Sequence, residues 1–272
     1  MNLPPRSDDQ LGALIARKGR EVARRRARTR LAVCWQAQGS VDIDAEASIV
    51  ALLRRAPGLA PRVIAEIKRR SPSAGTLRAW GKGDVAAISR AYVDAGATAI
   101  SVLCDAGFGG TPLDVRRAAR ASGAAILYKE FVLHPVQLDA ARALGASIVL
   151  LLACVLDDNS LSALMDACRA RGLAPLVEVA NEDELRRVLR LDAKLVGVNA
   201  RDLRTFEVDP AEAARLVAIV PADRVVVYMS GVRERADFER VAATRADAIL
   251  VGEGLMRAPS PGEKLRELLG TA

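Results

Sequence analysis

The sequence has few of the residues from which metal centres and nucleophilic triads are built. Its 272 residues include four cysteines, none of which forms a close pair, and a single histidine, His134. A zinc site made of cysteine and histidine is therefore not expected, and a Ser–His or Cys–His nucleophile would have to use His134. The chain also lacks an uninterrupted apolar run of about 18 residues, so no membrane-spanning helix is predicted.

Two further scarcities narrow the class of protein. The first residues carry no apolar signal core, so we expect a cytoplasmic protein with no membrane partner. Aromatic residues make up only 3% of the chain, while 51% of it is hydrophobic. A composition dominated by alanine, leucine, valine and isoleucine favours an α/β fold over a β-sandwich.

The net charge of +7 comes largely from one basic segment, Arg17 to Arg30. A run of this kind can bind nucleic acid. The segment also carries an apolar stripe at helical spacing, formed by Leu11, Leu14, Ile15 and Val22. We favour a helix with a solvated basic face and expect no nucleic-acid partner. A positive surface would also attract an anionic small substrate.

Beyond residue 60 one pattern repeats: a short apolar segment, a polar turn and an amphipathic helix. Eight such segments occur, at 63–67, 99–103, 125–129, 148–152, 176–179, 195–198, 225–229 and 248–251. Their near-continuous Val/Ile/Leu character is typical of strands covered on both faces. Eight βα units predict a closed (β/α)8 barrel, the TIM-barrel fold. An open doubly wound sheet would need a glycine-rich turn after its first strand, where this chain has Arg69-Arg70-Ser71-Pro72.

Residues 1–60 precede the predicted barrel. Helical patterns occur at 9–30 and 43–55, but the segment is too short and too charged to bury a core alone. We therefore predict one domain, residues 1–272, with residues 1–60 as an N-terminal helical extension packed on the barrel.

Charged and polar side chains follow most of the predicted strands. Alternate residues of a strand point to the same face, so Glu66 and Lys68 share one face at the end of the first strand. They form either an ion pair that plugs the barrel or an acid/base pair in a cleft. Other strand ends supply Lys129, Glu130, Glu178, Asn199 and Arg201. Because the active site of this fold lies at the carboxyl ends of the strands, these groups predict a site there.

Two glycine-containing turns follow the seventh and eighth strands, Ser230-Gly231 and Gly252-Glu253-Gly254. Loops in this position commonly bind phosphate, because glycine lets backbone N–H groups approach an anion closely. Two lysines and two glutamates without a metal-ligand cluster suggest acid/base chemistry on a phosphorylated organic substrate. A lysine near another cation or in a dry pocket loses its proton more readily. The same lysines could instead form a Schiff base, as in an aldolase.

Five segments resemble those of the indole-3-glycerol phosphate synthase family. They are AEIKRRSPS at 65–73, KEF at 129–131, LVEV at 176–179, GVNARDL at 197–203 and VGEGLM at 251–256. The first is highly specific, whereas the glycine motif of the last is shared with other phosphate-binding barrels. The resemblance extends over nearly the whole chain.

The resemblance implies ring closure, decarboxylation and dehydration of 1-(2-carboxyphenylamino)-1-deoxyribulose 5-phosphate in tryptophan biosynthesis, without a cofactor. It implies Lys129 as general acid and Glu178 as the base of dehydration. Lys68 would hold the substrate carboxylate, and Glu66 and Asn199 would orient the lysine and the substrate hydroxyls. The residues implied to contact the rest of the substrate are Ser71, Phe108, Arg201, Ser230, Gly231, Gly252, Glu253 and Gly254. We expect a monomer or a weak homo-oligomer.

The chain departs from the family pattern at several positions. Met229 stands where the family usually has an acidic residue, and loss of a carboxylate beside two lysines should lower their pKa values. Ala200 and Glu130 replace the usual asparagine and aspartate. The loop after the second strand looks one residue shorter and keeps only Phe108 of an aromatic pair. These departures leave open a divergent paralogue with an altered substrate or weak activity.

Overall fold

The computed structural model describes residues 10–29, 44–71, 75–78 and 84–271. Eight parallel strands form a closed barrel, which confirms the (β/α)8 prediction. The strands are β1 (Arg62–Ile67), β2 (Ala99–Leu103), β3 (Ala125–Lys129), β4 (Ile148–Leu152), β5 (Ala174–Val179), β6 (Leu195–Asn199), β7 (Val225–Met229) and β8 (Ala248–Val251). A short antiparallel hairpin, Arg70–Ser71 with Gly75–Thr76, follows β1.

Each strand pairs with the next one in the chain, and β1 closes the barrel against both β2 and β8. Ile64 is opposite Ala99 of β2, and Arg62 is opposite Ala248 of β8. The described helices are α1 (Gln10–Thr29), α2 (Ala45–Leu53), α3 (Asp84–Asp94), α4 (Pro112–Ser122), α5 (Val136–Ala143), α6 (Asp158–Arg169), α7 (Glu182–Arg190), α8 (Pro210–Ile219), α9 (Arg235–Ala242), α10 (Glu253–Arg257) and α11 (Pro261–Leu269).

The strands are buried on both faces because they separate two apolar layers. Inward-facing residues fill the barrel interior, and they include Ile64, Leu127, Leu176 and Val227. Residues that alternate with them, such as Val63 and Val226, pack against the surrounding helices. This arrangement explains the near-continuous apolar segments of the sequence and leaves the last inward-facing positions of each strand for the site.

Helix α2 closes the amino end of the barrel. Its Ile49 and Leu53 belong to the interior apolar cluster. Arg54, which follows it, donates hydrogen bonds to the carbonyls of Ala222 (3.0 Å) and Asp223 (3.1 Å), just before β7. Apolar contact and these bonds together hold α2 over the barrel opening opposite the predicted site.

Helix α1 lies at the other end, where the strands finish. Its Lys18 contacts Asp105, which follows β2, and Glu130, which follows β3. The two described helices of the extension therefore contact opposite ends of the barrel. Residues 30–43, which connect them, lie outside the described part of the chain, and the assignment of residues 1–272 to one domain stays a prediction.

Several predicted negatives concern the described residues only. None of their helices is long and apolar enough to cross a membrane. Within the same residues, no group of three or more histidine, cysteine or acidic side chains could hold a metal ion. Cys104, Cys154 and Cys168 are free thiols, and Cys34 lies outside the described ranges. The ring of His134 accepts a hydrogen bond from the Val136 N–H at the start of α5 (3.1 Å).

Candidate active site

Two connected cavities open at the carboxyl ends of the strands, where the sequence predicts the site. The space in the larger is about 730 Å³ and that in the smaller about 470 Å³, with the open solvent at their mouths included. Six residues line both: Glu66, Lys68, Ser71, Lys129, Arg201 and Ser230. The predicted residues of seven separate chain segments therefore converge on one continuous space.

One buried carboxylate holds two ammonium groups at the centre of this space. Glu66 is only 2% exposed, and its Oε1 lies 3.1 Å from Lys68 Nζ. Lys129 Nζ donates a hydrogen bond of 2.7 Å to the other oxygen, Oε2, which Ser101 Oγ also contacts at 3.3 Å. Burial alone would raise the pKa of Glu66, but the two ammonium groups outweigh it and lower the pKa to about 2. Glu66 is therefore ionised across the physiological pH range.

The four odd-numbered strands contribute one layer of side chains to this level of the barrel. Beyond the apolar layer of Ile64, Leu127, Leu176 and Val227, the next inward-facing residues are Glu66, Lys129, Glu178 and Met229. Alternate strands supply such four-membered layers in (β/α)8 barrels. We call Glu66, Lys68, Lys129 and Glu178 the charged centre.

Met229 fills the fourth position of that layer. Its side chain is fully buried, and its sulfur would lie 2.7 Å from a Cβ added to Gly197 on the neighbouring strand β6. Gly197 therefore makes the space that the thioether occupies. The position of the usual family acid is thus an apolar part of the barrel interior in this chain.

Lys129 is held in its protonated form. Burial alone would lower the pKa of Lys129, but the carboxylates of Glu66 and Glu178 outweigh it and raise the pKa above its ordinary value. The expectation of a readily deprotonated lysine is therefore wrong for Lys129, because its nearest charged partners are anions. The raised pKa also disfavours a Schiff-base role, which requires a neutral amine.

Glu178 differs from Glu66 in its surroundings. Burial raises the pKa of Glu178, and the negative charges of Glu66 and Glu184 raise it further. The charge of Lys129 and the hydrogen bond from Asn199 lower it, but the net shift is upward. Asn199 Nδ2 donates a hydrogen bond of 2.7 Å to Glu178 Oε1, while Asn199 Oδ1 accepts one of 3.0 Å from the Arg201 N–H. Two carboxylates with pKa values shifted in opposite directions are suited to different roles in acid/base chemistry.

The predicted phosphate loops line the smaller cavity. Ser230 and Gly231 both take positive φ angles, 71° and 78°, so the chain turns sharply at the end of β7. Gly252 is required for a different reason, since an added Cβ would lie 2.6 Å from Glu66 Oε1. The glycine therefore leaves room for the shared carboxylate of the charged centre.

Two predicted residues of the last loop have other contacts. The carboxylate of Glu253 pairs with Arg233 (3.2 Å) and Arg257 (3.1 Å), although the residue lines the smaller cavity. Gly254 lines neither cavity, and a Cβ there would lie 2.9 Å from the Arg233 Cα. Its lack of a side chain allows close packing of the loops after β7 and β8.

An apolar wall borders the larger cavity. A 3-10 turn, Ala106–Phe108, brings Phe108 to within 6.2 Å of Phe131, measured between ring centroids. Sequence reasoning named Phe108 but missed further lining residues, which are Leu103, Phe131, Leu150, Leu152, Leu203 and Phe206. The alternation of Leu150 and Leu152 on β4 was a usable signal, whereas Leu203 and Phe206 lie in a loop without a periodic pattern.

These features define a (β/α)8 barrel with buried lysine and glutamate side chains and glycine-containing loops around one cavity system at the carboxyl ends of its strands. The sequence profile of the indole-3-glycerol phosphate synthase family matches residues 11–268. An indole-3-glycerol phosphate synthase of Polaromonas sp. is 40% identical over 270 residues, 96% of this chain and 98% of that protein. One of Albidiferax ferrireducens is 40% identical over 266 residues, 97% and 99% of the two chains. The chain belongs to the indole-3-glycerol phosphate synthase family.

Solved structures share the fold at much lower identity. A 3-hexulose-6-phosphate synthase from Salmonella typhimurium superposes with a TM-score of 0.60 at 13% identity, covering 78% of this chain and all (100%) of that one. A thiamine phosphate pyrophosphorylase from Pyrococcus furiosus gives 0.57 at 16%, with 82% and 96% covered. At such identities the similarity concerns the barrel alone.

Proposed function

We propose that this chain converts 1-(2-carboxyphenylamino)-1-deoxyribulose 5-phosphate to indole-3-glycerol phosphate, with release of carbon dioxide and water. The observation that carries the proposal is the position of Lys129, a protonated ammonium held between Glu66 and Glu178 in the floor of the cavity. Family membership supplies the substrate class. This reaction is that of a carboxy-lyase. The proposal also includes a cytoplasmic location and a monomer or weak homo-oligomer.

Lys129 acts as general acid in the first step. The ring carbon that bears the carboxylate attacks the ketose carbonyl carbon, a carbon–carbon bond forms, and the carbonyl oxygen takes a proton from the Lys129 ammonium. Breaking the bond to the carboxylate then releases carbon dioxide and returns its electron pair to the aromatic ring. The raised pKa of Lys129 ensures that the proton is present when the substrate binds.

Glu178 acts as base in the second step. The hydroxyl formed in the first step leaves as water with a proton delivered by Lys68, since Lys129 has given up its own. Glu178 accepts a proton from the neighbouring carbon, and the electron pair of that C–H bond forms the double bond of the new ring. Its raised pKa makes it the more basic of the two central glutamates. Asn199 fixes the carboxylate through its 2.7 Å hydrogen bond.

The remaining residues bind the two ends of the substrate. Lys68, which is partly exposed and borders both cavities, pairs with the substrate carboxylate. Phe108 and Phe131 flank the aromatic ring. The phosphate occupies the smaller cavity beside Ser71, Arg201, Ser230, Gly231, Gly252 and the backbone of Glu253.

The test is a fluorescence assay for the indole product with the purified protein. Wild-type protein should turn over the standard substrate, and Lys129→Met should lower kcat by about 10³-fold, since general acid catalysis contributes roughly 10²–10⁴. Lys194→Met is the matched control, because this exposed lysine pairs with Asp192 before β6, at the amino end of the barrel. Absence of wild-type turnover, or full turnover by Lys129→Met, would refute the assignment.

A further inference from the structure

One lysine of α1 is buried outside the charged centre, and the proposed chemistry does not use it. Lys18 is only 2% exposed, although lysine is among the residues least often buried. Its Nζ lies 2.8 Å from Asp105 Oδ2 and 3.0 Å from Glu130 Oε2, and it donates a hydrogen bond of 2.7 Å to Glu21 Oε2. We call Lys18, Asp105 and Glu130 the rim cluster.

Asp105 connects the rim cluster to the turn that carries Phe108. The Asp105 carboxylate has no exposed surface, and its Oδ1 accepts a hydrogen bond of 2.7 Å from the Gly107 N–H. Its backbone carbonyl accepts bonds of 3.1 Å from the N–H groups of Phe108 and Gly110. Arg17 also donates to Oδ1. The position of the Asp105 side chain thus determines where the Phe108 ring lies.

Glu130 connects the same ammonium to the other half of the apolar wall. Its Oε1 accepts a hydrogen bond of 2.8 Å from the Phe131 N–H, while its Oε2 faces Lys18. The residue lies between Lys129 and Phe131 in the chain and lines the larger cavity. A single ammonium therefore joins the segments of two aromatic rings whose centroids are 6.2 Å apart.

We propose that Lys18 is a positioning residue: its ammonium sets the separation of Phe108 and Phe131 and so shapes the pocket for the aromatic ring of the substrate. That an aromatic ring of the substrate occupies this pocket is taken from the proposed function, so this inference rests on it. Buried ion pairs add little net stability compared with apolar packing, so geometry is the better account of a buried lysine here. Helix α1, none of whose described residues lines either cavity, then acts on the substrate site through the segments after β2 and β3.

The charges of the cluster show how far it depends on this ammonium. Burial and the charge of Asp105 raise the pKa of Glu130 to about 7, and Lys18 is the cation that opposes them. Without it, two buried carboxyl groups would face each other across the rim, where Arg17 pairs with Asp105. We therefore expect the segments after β2 and β3 to separate when the ammonium is removed.

Binding of two unreactive ligands tests the inference. The first is the reduced substrate, 1-(2-carboxyphenylamino)-1-deoxyribitol 5-phosphate, and the second is ribitol 5-phosphate, which lacks the ring. By calorimetry, Lys18→Met should weaken the first by about tenfold, since small misplacements of positioning groups have effects of this order or larger. Affinity for the second should stay within about twofold. The control is Arg20→Met, which removes the same charge from an exposed position of α1 and should change neither.

Other outcomes overturn the inference. Equal weakening of both ligands would show a general structural role, and no change in either would show that the ammonium does not shape the pocket. Should Lys18→Met fail to fold, Asp105→Asn carries the same expectation, because asparagine keeps an oxygen for the Gly107 N–H and loses the ion pair. Wild-type binding of the reduced substrate without turnover would reject the proposed reaction only. Wild-type binding of neither ligand would reject both.

Discussion

The centre of the barrel and its rim contain ion clusters of opposite make-up. At the centre one carboxylate, Glu66, serves the ammonium groups of Lys68 and Lys129. At the rim one ammonium, Lys18, serves the carboxylates of Asp105 and Glu130. Burial raises the pKa of the glutamate in both places, yet Glu66 ends at about 2 and Glu130 at about 7. Burial acts on both glutamates, and the charges that face each of them decide the difference between their pKa values.

This difference indicates that the charged centre binds substrate, whereas the rim cluster holds parts of the fold together. Lys68 and Lys129 at the centre both border the cavities, so an anionic substrate can reach them. An anionic substrate supplies further negative charge there. At the rim the ammonium is enclosed by protein carboxylates, so its charge is used within the fold. We therefore expect substitutions at the centre to change turnover, and those at the rim to change ligand fit.

The largest effect on this comparison is expected from Glu178→Gln. The amide keeps an oxygen for Asn199 but cannot accept a proton, so kcat should fall by about 10³-fold while KM changes little. Activity needs the ionised form, so wild-type kcat should fall as the pH falls through the raised pKa of Glu178, above the ordinary value of 4.5. Steady-state kinetics across pH measures both effects.

The pH dependence of stability distinguishes Glu66 from Glu178. The pKa of Glu66 is lowered to about 2, so its contribution to stability is present above its unfolded pKa and is lost as the pH falls towards 2. As the pH falls, activity should therefore decline before the contribution of Glu66 to stability is lost. Glu239→Gln, at an exposed residue of α9, is the control. Unchanged turnover of Glu178→Gln with the wild-type acid limb would contradict the assignment.

A smaller effect, about 10²-fold in kcat/KM, is expected from Glu66→Gln. This change leaves two ammonium groups without their shared carboxylate, and it removes the carboxylate that contributes most to the raised pKa of Lys129. Lys129 must be protonated to act as acid, so the basic limb of the pH–rate profile should move to lower pH. Measured pH–rate profiles of the variant and the wild type check this shift.

The matched substitution at the rim is Glu130→Gln. Lys18 keeps Asp105 as a partner there, and the amide keeps an acceptor for the Phe131 N–H. We expect KM to rise by less than about fivefold and the basic limb to stay in place. A shift of that limb as large as the one in Glu66→Gln would remove the distinction between the two clusters.

The fold was predictable because its signal is local. Apolar runs bounded by turns located all eight strands of the barrel, and the errors lie at ends without such a signal. Strand β5 begins at Ala174 rather than at the predicted Leu176. The prediction missed the first two residues because alanine and proline have weak strand propensity. Strand β6 extends to Asn199, a polar residue that sequence reasoning placed beyond its end.

The charged centre was predictable in membership but not in its electrostatics. The (β/α)8 rule brings strand ends together, so Glu66, Lys129 and Glu178 were named from their positions. The direction of the Lys129 pKa shift depends on which oxygens lie near its nitrogen, and a one-dimensional pattern does not contain that distance. The opposite pKa shifts of Glu66 and Glu178 depend on such distances too.

Glu130 of the rim cluster was named from the sequence as a strand-end residue, but the position of Lys18 beside it had no signal there. Lys18 is one of many basic residues in α1, and the segment looked like a solvated helix face. Its burial results from contacts with residues that follow β2 and β3, far along the chain. Tertiary contacts of this kind appear only once the helix is placed against the barrel.

The smallest effect on turnover is expected from Met229→Glu, which brings a carboxyl group into the layer of the charged centre. Glu66 and Glu178 already hold Lys129 protonated, so kcat should stay within about threefold of wild type. The new group would be buried beside Gly197, where Met229 now packs, and the free energy of unfolding should fall by about 1–3 kcal/mol. Denaturant unfolding and the product assay measure the two effects.

Met229→Gln separates the shape of the side chain from its charge. A carboxyl group buried at this position should have a raised pKa, so the folded state of Met229→Glu binds the proton more tightly than the unfolded state. Its destabilisation should therefore be larger at pH 8 than at pH 5, whereas that of Met229→Gln should not change with pH. A tenfold gain in turnover by Met229→Glu alone would instead show that the centre lacks a carboxylate, as a divergent paralogue with weak activity would.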